Sequence, residues 1–233
     1  MKILALETST EYCSVALWQD GAITERSELV GQKHSELLIE MIDAVLQDAG
    51  LRIQDVNGIG FGKGPGSFTG VRIACGVAQG LALGADLKVV GVSTLEALAQ
   101  ASAYDKVIAA LDARMNEIYL AAYEKCEEGW RVIVEPCLCK AEAAPLVERE
   151  GWFGVGSGFS LTSNHSPSGR GDLMLHYGNQ LIGVDVKAAP KASAIAQLAA
   201  TEFSKGRAVD AALALPLYLR DKVALTTSER GGK

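Results

Sequence analysis

The 233-residue chain contains 48% hydrophobic and 21% charged residues, and its formal net charge is −6. This composition is that of an ordinary globular protein, which excludes a wholly disordered chain, and the length suffices for one large or two small domains. Because no basic run of five or more residues offsets the acidic balance, we do not expect the chain to bind nucleic acid on its own.

Membrane and disulfide signals are weak throughout the sequence. No apolar run approaches the length of a transmembrane helix, and the N-terminal segment lacks the cleavage pattern of a secretory signal. The five cysteines are spaced irregularly, and the one close pair, Cys137 and Cys139, has no neighbouring histidines to complete a zinc site. We therefore expect reduced thiols, a cytoplasmic location and no membrane contact.

The first half of the chain is predicted to begin with a strand, a hairpin and a third strand before its first helix. Asp20-Gly21 is a strong hairpin turn, and Gly50 stands where a helix C-cap belongs. Apolar periodicity predicts strands at residues 3–6, 13–18, 22–30, 56–62 and 89–92, and helices at residues 33–49, 69–83 and 94–101.

The second half is predicted to repeat this pattern. We expect strands at residues 107–111, 118–123, 130–138 and 152–155, helices at 141–150 and 192–204, a mobile loop at 160–172 and an extended arm at 215–219. Hairpins mixed with helices favour an α/β fold with mixed sheets. The predicted divisions are a first lobe (1–102), a second lobe (103–215) and a partly disordered C-terminal arm (216–233).

A glycine-rich segment at residues 62–70 joins a predicted strand to a predicted helix, where backbone N–H groups could face an anion. It is not a P-loop, since Lys63 is followed by Gly64, and it matches no register of the dinucleotide-binding pattern. A tight structural turn and a phosphate cradle are equally consistent with this spacing.

The helix after this segment carries Gly76, Gly80 and Gly84 at four-residue intervals. Each interior glycine costs about 1 kcal/mol relative to alanine, which close approach of another element would offset. The chain's own sheet and a partner helix are both candidates, and the wide apolar arc of the 33–49 helix favours a partner. The predicted interface residues on that helix are Leu38, Met41, Ile42 and Val45.

Catalytic signatures are poorly represented. The three histidines, His34, His165 and His176, form no metal-binding pair, and no serine stands in a nucleophile elbow. The turn from Asp112 to Glu117 could bind a ligand, although a salt-bridged corner is the favoured interpretation of its charges.

Six segments together carry a specific resemblance. They are ILALETSTE (3–11), CSVAL (13–17), GKGPGSFTGVRI (62–73), GVSTL (91–95), DARM (112–115) and PLYLR (216–220). In these segments the chain resembles the TsaB (YeaZ) family of bacterial tRNA threonylcarbamoyladenosine (t6A) biosynthesis proteins, densely up to about residue 125 and thinly beyond.

The resemblance implies two similar lobes with the actin/Hsp70/sugar-kinase type of fold. It also implies a partner, TsaD, which transfers threonylcarbamoyl to N6 of adenosine 37 in tRNAs reading codons that begin with A. TsaD holds an iron or zinc ion through two histidines, whereas this chain has Thr94 and Leu98 at those places. The chain is therefore expected to be a non-catalytic accessory subunit that binds and activates TsaD together with the ATPase TsaE. The alternative is an enzyme of the same fold, a nucleotide-binding ATPase or a peptidase.

The same resemblance implies that the helices at 33–49 and 69–83 contact TsaD, or form a homodimer when TsaD is absent. It also implies that the chain contacts tRNA only as part of the complex. No intrinsic cofactor or metal is expected, although ATP or ADP at the complex interface would fit the family. Glu7 stands where the family usually has aspartate, and it joins Thr8, Ser9 and Asp112 as a vestigial nucleotide cleft. The extra methylene of Glu7 would displace the carboxylate and weaken magnesium-nucleotide binding.

Overall fold

The computed structural model describes residues 1–31, 33–160 and 173–220. Most of the predicted 160–172 loop, including His165, and the end of the predicted arm lie outside these ranges. The strands are β1 (Lys2–Glu7), β2 (Tyr12–Gln19), β3 (Ala22–Leu29), β4 (Gly58–Gly64), β5 (Lys88–Ser93), β6 (Lys106–Asp112), β7 (Ile118–Cys126), β8 (Gly129–Cys139), β9 (Trp152–Val155), β10 (Leu181–Asp185) and β11 (Val209–Asp210). The helices are α1 (His34–Asp48), α2 (Phe68–Ala85), α3 (Thr94–Ala101), α4 (Leu173–Tyr177) and α5 (Ala192–Ser204).

Two mixed sheets share one order of five strands, to which the first sheet adds the edge strand β11. The first runs β11-β5-β4-β1-β2-β3 and the second runs β10-β9-β6-β7-β8. In each, three successive strands form an antiparallel meander, and two later strands add in parallel beside the first strand of the meander. The predicted α/β fold with two similar lobes is confirmed by this repeat.

Helices cover both faces of the first sheet and tie the two lobes together. Helices α1 and α2 share a buried cluster with one face of the first sheet, where Leu38, Phe61 and Ala78 are almost or completely inaccessible to solvent. Helix α5 packs on the opposite face, and α3 packs on the second sheet through Leu95 and Leu98. Helix α3 follows β5 of the first sheet but packs on the second sheet. Helix α5 comes after β10 of the second sheet but packs on the first.

This exchange changes the predicted lobe division. Helix α5 lies against β1, β2 and β4, and β11 pairs antiparallel with β5, so residues 192–210 belong structurally to the first sheet. The sequence placed them in the second lobe because they follow it along the chain. The chain returns to the first sheet because the alanine-rich face of α5 is buried there against Ile3, Ala5 and Val92.

The helix predicted over residues 141–150 is wrong. A single 3-10 turn, Ala141–Ala143, forms there, and Ala144 is extended (ψ 136°). Pro145 is the cause, since proline has no N–H for an interior helical bond and disfavours a helical conformation in the preceding residue. Side chains satisfy the freed carbonyls instead: the Tyr177 hydroxyl donates to Pro145 O at 2.8 Å, and Trp152 Nε1 donates to Glu148 O at 3.0 Å.

Among the described helices, α2 is long and apolar enough to cross a bilayer, judged by length and composition alone. This differs from the expectation that no segment reaches that length. Core helices of globular proteins meet the same criterion, and one face of α2 packs against its own sheet through Val71, Ala74 and Ala78. The finding therefore carries no assignment to a membrane.

Candidate functional site

The glycine-rich segment after β4 is pressed against the loop that follows β1. A Cβ on Gly62 would lie 1.9 Å from Glu7 Oε2, and one on Gly70 would lie 1.9 Å from Thr8 O, so neither position accommodates a side chain. Ser67 N donates to Ser9 O at 2.8 Å, and the Ser67 side chain caps α2 by accepting from Gly70 N at 3.4 Å. Of the two interpretations of this segment, a structural turn or a phosphate cradle, these contacts support the tight structural turn.

A cavity of about 660 Å³ lies in the cleft between the lobes. Ser9, Gly66 and Phe68 line it from the first lobe, and Asp112 and Tyr119 line it from the second. A cavity of this size is within the range of small-molecule sites. The cleft is therefore the place in the fold where a ligand could contact both lobes at once.

The structure brings together only two of the four predicted cleft residues. Ser9 and Asp112 line the cavity, whereas Glu7 and Thr8 are buried behind it, with 1% and 0% of their surface exposed. The Thr8 hydroxyl donates to Gly70 O at 2.7 Å, so it holds the turn against α2. The family resemblance grouped the four as a vestigial nucleotide cleft, but the end of the strand turns two of them inward.

Glu7 is an unusual carboxyl group for a cleft. Its Oε1 accepts from Ser9 N at 2.5 Å, and its Oε2 has no hydrogen-bond partner among the described residues. Burial raises the pKa of Glu7 to about 7, although hydrogen bonds from Ser9 oppose the shift. A carboxyl group that is buried behind the cavity and does not line it is poorly placed to hold a magnesium ion there.

The turn after β6 is a salt-bridged corner at the edge of the cleft. Asp112 accepts from Arg114 N at 2.8 Å and pairs with its guanidinium at 3.5 Å. Arg114, Met115 and Asn116 all have positive φ, at 64°, 55° and 62°. Such left-handed residues other than glycine are strained, and this strain is typical of loops at binding sites.

The segment at residues 214–220 crosses the cleft and contacts both lobes. On the first lobe, Leu217 N donates to Lys63 O at 2.7 Å and Arg72 Nε donates to Tyr218 Oη at 2.6 Å. On the second, Arg220 pairs with Glu117 at 2.7 Å and donates to Ala113 O at 3.0 Å. Sequence reasoning foresaw an extended arm but not its bridging role, because its partners lie more than a hundred residues away.

The exposed face of α2 carries the predicted glycine stripe. A Cβ built on Gly76, Gly80 or Gly84 would meet nothing within 4 Å, and neighbouring Leu83 is 80% exposed. The alternative in which these glycines pack on the chain's own sheet is therefore excluded. The face is smooth, open and flanked by an apolar side chain, which is the surface that close helix packing requires.

The four apolar residues predicted for the interface on α1 are placed differently. Leu38, Met41, Ile42 and Val45 have at most 5% of their surface exposed and belong to the core under the first sheet. Their side chains are inaccessible to a partner because the sheet already covers them. On α1 the exposed large apolar side chain that a partner could touch is that of Ile39, at 51%, while Leu37 is partly buried.

The positions that would match a metal centre hold Thr94 and Leu98. Thr94 is fully buried and its hydroxyl donates to Pro65 O, while Leu98 is 1% exposed and packs in the core of the second sheet. Within the described ranges, no group of three or more His, Cys, Asp or Glu side chains could hold a metal ion. His34 and His176 instead contact the carbonyls of Tyr12 and Ala144.

Two sheets of one strand order, helices exchanged between them and a cleft lined from both sides define a protein with the actin/Hsp70/sugar-kinase type of fold. The family model described as TsaD, tRNA N6-adenosine threonylcarbamoyltransferase, matches residues 26–152. The tRNA threonylcarbamoyladenosine biosynthesis protein TsaB of Escherichia coli (strain K12) is 38% identical over 232 residues, covering 96% of each chain. The TsaB of Haemophilus influenzae is also 38% identical, over 96% of this chain and 95% of its own.

Two solved structures agree with these relatives. YeaZ from Pseudomonas aeruginosa matches with a TM-score of 0.82 and 35% identity, covering 94% of this chain and 99% of that chain. A second structure, described as an uncharacterized protein with similarity to peptidase YEAZ from Pseudomonas aeruginosa, gives 0.84 and 34% over the same shares. The chain belongs to the TsaB (YeaZ) family.

Proposed function

We propose that this chain is a non-catalytic accessory subunit of tRNA threonylcarbamoyladenosine synthesis, which binds and activates the transferase TsaD together with TsaE. The observation that carries the proposal is the open glycine face of α2. A helix with three interior glycines is less stable alone than one with alanines at the same positions. A partner that packs closely against these glycines would offset this cost and so explain why they are there.

The proposed absence of catalysis is supported by what occupies the positions of the transferase metal ligands. Thr94 is committed to a hydrogen bond with Pro65 O, and Leu98 is enclosed in the core. A threonine hydroxyl and a leucine side chain are poor ligands for iron or zinc. In this proposal the partner supplies the reacting metal, and the net charge of −6 leaves tRNA binding to the complex as a whole.

Activation in this proposal is a shift of TsaD between two conformations. A binding partner changes such an equilibrium only through a difference in its affinity for the two states. The face formed by Gly76, Gly80, Leu83 and Gly84 would bind the active state more tightly. The same face would join two copies of this chain when TsaD is absent, so TsaD and the second copy would compete.

A reconstituted modification assay tests the proposal. Purified TsaD, TsaE, threonylcarbamoyl-AMP and unmodified tRNA are combined with and without this chain, and modified adenosine is quantified by mass spectrometry. We expect modification only when TsaD and this chain are both present. Equal modification without this chain, or modification by this chain alone, would contradict an accessory role.

A second candidate function is nucleotide binding in the interlobe cleft, as an ATP or ADP site shared with the complex. The cavity of about 660 Å³, with Ser9 and Asp112 on facing walls, supports it. Thermal unfolding with and without magnesium-ADP tests it, since a ligand at a hundredfold excess over Kd stabilises the folded state by about 2.7 kcal/mol. An unchanged melting temperature, both for the chain alone and for its complex with TsaD, would contradict this candidate.

A further inference from the structure

A second cavity, of about 380 Å³, lies away from the interlobe cleft and is lined by both lobes. Lys63 from β4, Ser93 at the end of β5 and Glu96 from α3 line it. Gln197 from α5 and Trp130 from the β7–β8 hairpin line it as well. The volume is within the range of sites for small molecules.

One cation and one carboxylate in this cavity have no direct polar contact within the described ranges. The Lys63 ammonium and the Glu96 carboxylate make no hydrogen bond or salt bridge with a described residue, although each is influenced by the charge of the other. Each is partly buried, and a ligand that bonds directly to both groups would reduce the cost of burying their charges. Burial and the charge of Glu202 raise the pKa of Glu96, while the charges of Lys63 and Lys205 oppose this shift.

The remaining charges around the cavity largely satisfy one another. Glu202 pairs with Arg207 at 3.2 Å and with Lys205 at 3.7 Å, and Lys205 also donates to Glu128 O at 3.3 Å. The lining as a whole contains three basic and three acidic residues, so it is electrically balanced: Lys63, Lys205, Arg207, Glu96, Glu128 and Glu202.

A hydrogen-bonded row of side chains fixes the wall of the cavity. Trp130 Nε1 donates to Gln100 Oε1 at 2.7 Å, and Gln100 Nε2 donates to Gln197 Oε1 at 2.7 Å. This row joins the hairpin of the second sheet to α3 and α5, so the indole ring is held in place. A fixed aromatic ring beside opposite charges offers a surface for an apolar side chain as well as for charged groups.

We propose that this cavity binds a small zwitterion of the α-amino acid class, with its ammonium group on Glu96 and its carboxylate on Lys63. The balanced lining argues against the two simpler charge types. A phosphate or nucleotide would meet the Glu96 carboxylate, and a polyamine would meet the Lys63 ammonium, so each would leave one charge opposed. A molecule that carries an ammonium and a carboxylate group on one carbon atom has a partner for both residues.

Ligand-observed NMR tests this inference on the purified full-length chain, with the free proteinogenic amino acids as probes. We expect saturation transfer to at least one free amino acid and its loss for the corresponding N-acetylated and amidated derivatives, which each lack one charge. Glu96→Gln and Lys63→Met should each weaken binding by about tenfold or more, because each removes the partner of a partly buried charge.

Two controls keep the inference falsifiable. Glu40→Gln, at an exposed position of α1, should bind like the wild type, and circular dichroism should show that all three variants are folded. Absence of transfer to every amino acid would overturn the proposal. Equal binding of the N-acetylated and amidated derivatives, or unchanged binding in the folded Glu96→Gln and Lys63→Met variants, would overturn it as well.

Discussion

The two lobes have the same strand order but very different connections. In the first lobe, the connection from β3 to β4 carries the 15-residue helix α1, and that from β4 to β5 carries the 18-residue helix α2. In the second, the connection from β8 to β9 has a 3-10 turn and extended chain, and the described part of the next connection has the five-residue helix α4. The shared strands define the fold, whereas the surface available for helix packing is concentrated in the first lobe.

The two lobes also differ in the last residue of their first strand. Glu7 ends β1 and is buried without a partner for one of its oxygens, whereas Asp112 ends β6 and is held by Arg114 at the cleft surface. Equivalent positions in a repeated fold have thus acquired different environments. The second lobe offers the more accessible carboxylate, and the first lobe uses its own in the packing of the glycine turn.

The largest expected effect concerns the helices that only the first lobe retains. Leu38→Ala on α1 should lower the free energy of unfolding by about 2–5 kcal/mol, because Leu38 is fully buried in the first core. Leu146→Ala, in the connection where the second lobe has no helix, should change it by less than about 0.5 kcal/mol, since Leu146 is 67% exposed. Urea denaturation of both variants measures the difference, and equal losses would show that the two connections contribute alike.

The next effect concerns the buried carboxyl group of the first lobe. The folded pKa of Glu7, about 7, is above its ordinary value of 4.5, so its protonation stabilises the fold fully below pH 4.5. That stabilisation is lost as the pH rises through 7, by about 3 kcal/mol in all. Glu7→Gln lacks this loss, so its stability relative to the wild type should rise between about pH 5 and about pH 8. A stability difference that is the same at both pH values, measured by urea unfolding, would refute the buried, partly protonated state.

The smallest effect concerns the open glycines of α2. Gly76→Ala should raise the free energy of unfolding by about 0.5–1 kcal/mol, because alanine is the better helix former and its methyl group enters open space. Thermal unfolding should be measured at a protein concentration low enough to keep the chain monomeric. A loss of stability would mean that the chain's own atoms cover this face.

Local patterns predicted most of the strands and long helices. Strands β1, β2 and β6 are short apolar or alternating segments. The apolar periodicity of α1, α2 and α5 is strong enough to identify these helices without tertiary information. The helix expected at 141–150 does not form, because Pro145 interrupts the helix-forming alanines and glutamates around it. The short β10 and β11 were not predicted, since each depends on pairing with a strand that is distant in sequence.

The site was less predictable than the fold for a related reason. The glycine stripe has a four-residue period that can be read directly, and its exposure agrees with the favoured interpretation. The apolar residues of α1 have the same kind of period, but a period alone does not distinguish a side chain facing the sheet from one facing a partner. Leu38 and Ile39 are adjacent in the chain and differ from 0% to 51% in exposure. The second cavity draws Lys63, Glu96, Trp130 and Gln197 from four separate elements, which no local pattern reveals.

The affinity of TsaD for three forms of this chain tests the central claim most directly. Calorimetric titration should compare the wild type with Gly80→Leu on the open face of α2 and with Ser204→Leu, which is also an exposed position but lies on α5 across the first sheet. Gly80→Leu should fold, because nothing lies within 4 Å of its Cβ, and yet lose TsaD binding, while Ser204→Leu should bind like the wild type. Undiminished binding by a folded Gly80→Leu variant would contradict the assignment of this face to TsaD.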